Sequence, residues 1–301
     1  MEKVNYLAQP NCYKLTNGTV EVIVTTDIGP RIIRYGFPGE ENILGEVPDA
    51  VIKTALGDWK PWGGHRLWAA PESNPRSYSP DNSPIEFESA ALDSIRLLQP
   101  VEPQTGIQKE LTVTLDPAGS SLTILHRLIN RGLWTINLAS WALTIMNGGG
   151  LAIIPQEPYR SWEEELLPAR QLVLWHYTDL SDARWAFGPK YIRLKTDETM
   201  AAPQKLGVAN KQGWAAYHRQ NTLFIKQFGY VEGASYPDYG CNNELYTAGS
   251  FIEVESLGPL TKLEPDAATI HIERWSLHRH IELDGSEESI TAALKSCLVH
   301  A

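Results

Sequence analysis

The chain has 301 residues, a formal net charge of −10 and a hydrophobic share of 43%. That length fits two average domains or one large β domain, and no low-complexity tract interrupts it, which excludes gross disorder. The acidic balance excludes a general nucleic-acid binder, which needs a basic face, and a partner in the form of an anionic membrane surface.

From the start, Met1-Glu2-Lys3-Val4-Asn5-Tyr6 has no apolar run behind a basic end, so no signal peptide is expected. No stretch approaches the ~18 apolar residues of a spanning helix. Thr19–Thr25 alternates Val20, Val22 and Val24 with Glu21 and Ile23. After a turn at Ile28-Gly29-Pro30 comes a second strand, Arg31–Phe37. The Pro/Ser/Asn-rich region 71–84 reads as a loop. Ile107–Leu115 has period two, Asp116-Pro117-Ala118-Gly119 is a turn, and Ser121–Asn130 returns, which predicts a hairpin over 107–130. Further strands are predicted at Asn137–Met146, Leu151–Pro155, Tyr191–Lys195, Gly213–Arg219, Leu223–Phe228, Phe251–Ser256 and Thr269–His280. Ser161–Leu167 reads as a short helix stopped by Pro168. At the C-terminus, Asp284 with Glu287 resembles a capping box, and Ile290, Ala293, Leu294, Cys297 and Leu298 fall at helical spacing. Strands with so little helix between them predict an all-β fold, a large antiparallel sandwich or barrel with a short terminal helix. A single domain over 1–301 is expected; the alternative is a division near Pro100-Val101-Glu102-Pro103. Cys12, Cys241 and Cys297 have neither metal spacing nor a disulfide pattern, so a reducing, cytoplasmic setting with no metal and no cofactor is expected.

Three segments could carry chemistry. Gly63-Gly64-His65-Arg66-Leu67-Trp68-Ala69-Ala70-Pro71-Glu72 gathers an imidazole, a guanidinium, an indole and a carboxylate in ten positions. Its glycines and proline predict irregular backbone at the rim of a polar cleft. There His65 and Arg66 would hydrogen-bond a ligand and Trp68 would pack on the C–H face of a pyranose. An ion-paired loop, Arg66 with Glu72, explains the same residues without a ligand. Tyr236-Pro237-Asp238-Tyr239-Gly240-Cys241-Asn242-Asn243-Glu244-Leu245-Tyr246-Thr247 offers Asp238, Asn242 and Glu244, side chains suited either to a hydroxyl-rich ligand or to local turns. In Phe251–Leu260, alternation puts Glu253 and Glu255 on one strand face. Desolvation there would raise one pKa and suit it to general-base work, whereas a solvated face would leave both inert. His278 and His280 share a face without a third ligand, His126 reads as structural, and His176 follows an apolar run that ends at a strand or a cleft. Phosphate-loop, nucleophile-elbow and dinucleotide signatures are absent from the sequence.

Taken together, the Gly18–Leu44 segment, Leu122–Asn130 with Trp141-Ala142-Leu143-Thr144, and the two polar-aromatic blocks resemble the galactose mutarotase-like superfamily over roughly residues 15–280. The resemblance is to an uncharacterised bacterial branch. It implies a large β-sandwich with a concave, carbohydrate-binding face. It further implies an aldose 1-epimerase-like reaction in which a late Glu takes the anomeric proton and a His protonates the ring oxygen. Glu255 falls at the base position, with Glu253 beside it. The family's acid histidine motif is missing near Trp141–Thr144, which leaves His65 and then His176 as its replacements. The implied partner is a small carbohydrate, neutral or anionic through Arg66. A non-catalytic sugar-binding module, or a lyase or other epimerase on the same scaffold, are the alternatives.

Overall fold

The structure is a computed structural model and describes residues 1–298. Two antiparallel sheets, of eleven and ten strands among the described residues, stack face to face. From the middle of the eleven-stranded sheet to one edge run, side by side, Ile32–Gly36, His65–Ala70, Ile136–Met146, Phe251–Leu257, Asn243–Ala248, Gln204–Val208 and Leu172–Leu174. The other sheet is centred on Ile107–Leu115, Leu122–Asn130, Ala268–His278 and Thr222–Phe228. The hairpin expected over 107–130 forms, in register from Ile107 opposite Asn130 to Leu115 opposite Leu122.

Period-two alternation explains why the sheets stack. In Leu122–Asn130, Leu122, Ile124 and Leu128 enter the interior while Thr123, Leu125 and Arg127 face out. Leu67, Ala69, Ile252, Val254, Leu206 and Leu245 meet them from the opposite sheet in one continuous apolar core. Each such aliphatic side chain contributes about 1.5–3 kcal/mol by leaving water.

The terminal helix, Glu287–Leu298, lays Ile290, Leu294 and Cys297 on Ile153, Trp214, Ala216, Leu223 and Ile225, covering the outer face of the ten-stranded sheet. Its cap differs from the expected capping box. Ser286 Oγ accepts from the Ser289 amide at 3.1 Å, while Asp284 accepts from the Ser286 amide one turn earlier. Glu287 turns away from the helix start to take the amides of Lys190 and Tyr191 at 3.1 and 2.9 Å. Ser161–Leu167 is a turn, not a helix. Its apolar residues Trp162, Leu166 and Leu167 are exposed, so no packed face supports a helix that short. Among the described residues no helix is long and apolar enough to cross a membrane.

Candidate functional site

The Gly63–Glu72 stretch is not an irregular rim. His65–Ala70 is a regular strand in the middle of the eleven-stranded sheet, hydrogen-bonded to Ile136–Met146. The irregularity is confined to its ends. Gly63 and Gly64 adopt φ of +100° and +66° where the chain crosses the Gly45 and Ile32 carbonyls, so closely that a Cβ at either position would lie 2.1 Å from an oxygen.

Strand alternation then decides which groups share a face. His65, Leu67 and Ala69 point between the sheets; Arg66, Trp68 and Ala70 point out. The same rule turns Trp141, Leu143 and Ile145 outward from their strand, with Glu253, Glu255, Glu244, Tyr246 and Lys205 from the next three. Register aligns them in rows. Trp68 opposes Trp141. Arg66, Leu143, Glu255, Glu244 and Gly207 form a second row. Ile145, Glu253, Tyr246 and Lys205 form a third.

Over these rows lies a cleft of about 480 Å³, its walls including Trp59, Trp68, Trp141, Trp175, Tyr78, Tyr177 and Tyr246. Trp68 meets Trp59, Tyr78 and Trp141 edge-on, with ring centres 5.1, 4.9 and 5.3 Å apart. Two cations sit in this aromatic frame. Arg66, 3% exposed, lies over Trp68 and Trp59 and donates from Nη2 to Glu253 Oε1 at 3.0 Å; its Nε and Nη1 have no partner. Lys205 Nζ lies over Trp141 and Trp175 and reaches Glu244 Oε2 at 2.8 Å and Glu255 Oε2 at 3.0 Å. Trp141 Nε1 donates to the same Glu255 oxygen at 2.7 Å. Burial pushes the Glu244 carboxyl well above the usual range against the pull of Lys205, and pushes Glu253 up against the pull of Arg66. The two carboxylates hold the Lys205 ammonium well above its ordinary value despite burial. Gly207 makes room for this floor: a Cβ there would lie 2.4 Å from Cys241 Sγ and 3.3 Å from Glu244 Cγ.

Of the residues singled out from the sequence, Arg66, Trp68, Glu72 and Glu253 line the cleft, while Glu244 and Glu255 lie fully buried against Lys205. Glu72 pairs with Tyr78, whose hydroxyl donates at 2.5 Å, and not with Arg66. Asp238 is half-buried in the adjoining loop, within the field of Glu244 and Lys205, and does not line the cleft. Asn242 is absorbed by a turn, exchanging hydrogen bonds of 2.6 and 3.0 Å with the Asn210 backbone. His176 is exposed and off the lining, although its neighbours Trp175 and Tyr177 form a wall.

His65 is the clearest correction: as the neighbour of outward Arg66 it must face inward, and it is fully buried. There it joins a polar network across the two sheets. His126 Nδ1 donates to the His271 carbonyl at 3.0 Å, so its Nε2 accepts from His65 Nε2 at 2.7 Å, and His65 Nδ1 accepts from Thr144 Oγ1 at 2.8 Å. Burial holds both rings below their ordinary pKa and hence neutral. Glu273 lies 3.9 Å from His65 and is bound by Lys226, Ser256 and Trp275. Three ligand-type groups gather here, His65, His126 and Glu273. However, the ring nitrogens stand at hydrogen-bond separation, and Lys226, 2.8 Å from Glu273, already supplies the balancing cation.

Sequence reasoning missed Lys205, Trp59 and Tyr177. Lys205 had a signal: it interrupts the otherwise apolar or small run Leu206-Gly207-Val208-Ala209 at its start, on a strand face that must point somewhere. Trp59 stands in a short strand after a glycine turn and had none.

No protein-family model matches the chain, and no curated protein matches it. Solved structures do. The Slr1438 protein of Synechocystis sp. PCC 6803 superposes with a TM-score of 0.57 at 13% identity, covering 93% of this chain and 100% of that one. A galactose mutarotase-like protein of Lactobacillus casei gives 0.54 at 11% identity over 89% and 100% of the two chains. A candidate aldose 1-epimerase of Escherichia coli K12 gives 0.53 at 11% identity over 89% and 99%. These superpositions and the stacking of two large antiparallel sheets show that this chain has the galactose mutarotase-like β-sandwich fold.

Proposed function

We propose that this protein binds a carbohydrate in the cleft on the outer face of the eleven-stranded sheet. The observation that carries the reading is the lining itself: four indoles and three phenols around a floor of Arg66, Glu253, Lys205 and Glu72. Aromatic faces pack against the C–H side of a sugar ring, while carboxylates, phenols and the unpartnered Arg66 donors meet its hydroxyls. Proteins of this fold described as mutarotase-like or as aldose epimerases support the same ligand class. Saturation-transfer NMR with a panel of hexoses tests it. Transfer to sugar protons that is lost in Trp68→Ala is expected, and no transfer from any sugar refutes it.

A second reading, interconversion of anomers, is supported by Glu253. It lines the cleft, its pKa is raised by burial, and it lies opposite Tyr246 across the strand pair. In this reading Glu253, with buried Glu255 behind it, accepts the anomeric hydroxyl proton and a phenol such as Tyr246 protonates the ring oxygen. Among the described residues no histidine lines the cleft, so the reaction would run without one. Exchange NMR between α- and β-hexose decides. Acceleration abolished by Glu253→Gln supports catalysis, whereas binding without acceleration leaves a sugar-binding module.

A further inference from the structure

Of the carboxylates that line the cleft, one has no cationic partner among the described residues. Arg66 is answered by Glu253, and Lys205 by Glu255 with Glu244. Arg31, close behind Arg66, is answered by Asp81 at 2.7 Å. Glu72 remains. Its one hydrogen bond comes from the neutral Tyr78 hydroxyl, and among the described residues no cation pairs with it. It lines the same cleft as Lys205, Tyr177 and Tyr246. Beside it stands the ring of Tyr78, and the same cleft holds Tyr177 and Tyr246; among the described residues no cation lies over these three rings, whereas the indoles of Trp59, Trp68, Trp141 and Trp175 are already covered by Arg66 or Lys205. The unsatisfied donors on the floor, Arg66 Nε and Nη1 with Trp59 Nε1, are 97% or more buried and call for acceptor oxygens.

We infer that the ligand is an aminated sugar, its ammonium held by Glu72 against the phenol rings and its hydroxyl oxygens accepting from Arg66. This rests on the carbohydrate reading above. An ammonium between a carboxylate and aromatic faces gains both an ion pair and a cation–π contact. A phosphorylated or uronic sugar would meet no unanswered cation, and would lie beside the two carboxylates that line the cleft, Glu72 and Glu253. A hydroxyl satisfies the free Arg66 donors without adding a charge, which an anion cannot do.

The test is tryptophan fluorescence and calorimetric titration of the full chain at pH ~6, where an amine on a sugar is charged. The probes are glucosamine and galactosamine, glucose and galactose, glucose 6-phosphate and glucuronate, and ethanolamine. The expected result is binding of an aminated hexose about tenfold or more tighter than its neutral parent, with the anionic sugars weakest. The amine preference should fall as salt rises from ~20 to ~300 mM. Glu72→Gln, at an exposed position where folding is not at stake, should reduce the ratio of aminated to neutral affinity about tenfold. Anionic sugars binding best, or an amine advantage untouched by Glu72→Gln, would overturn the inference while leaving a sugar site. Ethanolamine binding as well as the amino sugar would overturn the carbohydrate reading and keep the amine site. Failure of every sugar to bind would overturn both.

Discussion

Lys205→Met would remove the ammonium that stands 2.8 Å from Glu244 and 3.0 Å from Glu255, leaving two buried carboxylates as direct cross-strand neighbours. At an effective dielectric of about 20, attraction across ~3 Å amounts to about 5 kcal/mol per contact. The cost of desolvating the ammonium offsets much of this, so removing one partner of such a buried cluster should cost about 3–5 kcal/mol net. The loss should depend on pH. Glu244 already sits above its ordinary value in the folded protein. For a carboxyl raised on folding, the stabilisation is fully present below the unfolded value, near 4.5, and is lost as pH rises through the folded value. Without Lys205 the folded value rises further, so the variant should lose little near pH ~5 and most near pH ~8. Urea unfolding of both proteins at these two pH values measures it. A difference below about 1 kcal/mol at pH ~8, or one that does not change with pH, would show that Lys205 is not the counter-ion of this floor.

Gly207→Ala should destabilise by about 1–3 kcal/mol, because the new Cβ meets Cys241 Sγ at 2.4 Å; Cys241→Ala in the same chain should recover much of it in thermal melts. Burial lowers His271 to about 3 and lowers His65 and His126 as well, so each is neutral when folded. A histidine depressed on folding stabilises above its unfolded value, near 6.5, and that stability is lost as pH falls toward the folded value; unfolding free energy should therefore drop between pH ~6.5 and ~4, by up to about 1.4 kcal/mol per pH unit per histidine. Chemical denaturation across that range checks it, and a flat profile would contradict the neutral network. Lys226→Met should cost about 3–5 kcal/mol, because it strands Glu273 in the core 2.8 Å from where its counter-charge was; equilibrium unfolding near pH ~7 measures this.

Much of the fold was legible because period-two alternation is a local property. Ile107–Leu115, Leu151–Pro155 and Tyr191–Lys195 form with the bounds read from the chain, and the amphipathic terminal helix forms where its spacing predicts. The 65–70 strand was not legible, since glycine and proline at its ends masked a segment that is buried on both faces and so shows no polar-apolar alternation. The same gap misplaced His65. Types and spacing mark residues as able to do chemistry, but the face each one occupies follows from whether its backbone is strand or loop.

The sequence by itself determined that this is an acidic, strand-rich chain with an amphipathic terminal helix, and it marked Arg66, Trp68, Glu253 and Glu255 among the residues able to do chemistry. Only the tertiary structure decided what those residues meet. Arg66 and Glu253 stand 187 positions apart and touch because two strands share the neighbouring Ile136–Met146 strand in register. Trp59, Trp175 and Lys205 reach the same cleft from separate segments. Local periodicity is set by backbone geometry within a few residues, whereas a cleft is set by which strands pair, and that depends on burying the whole core at once.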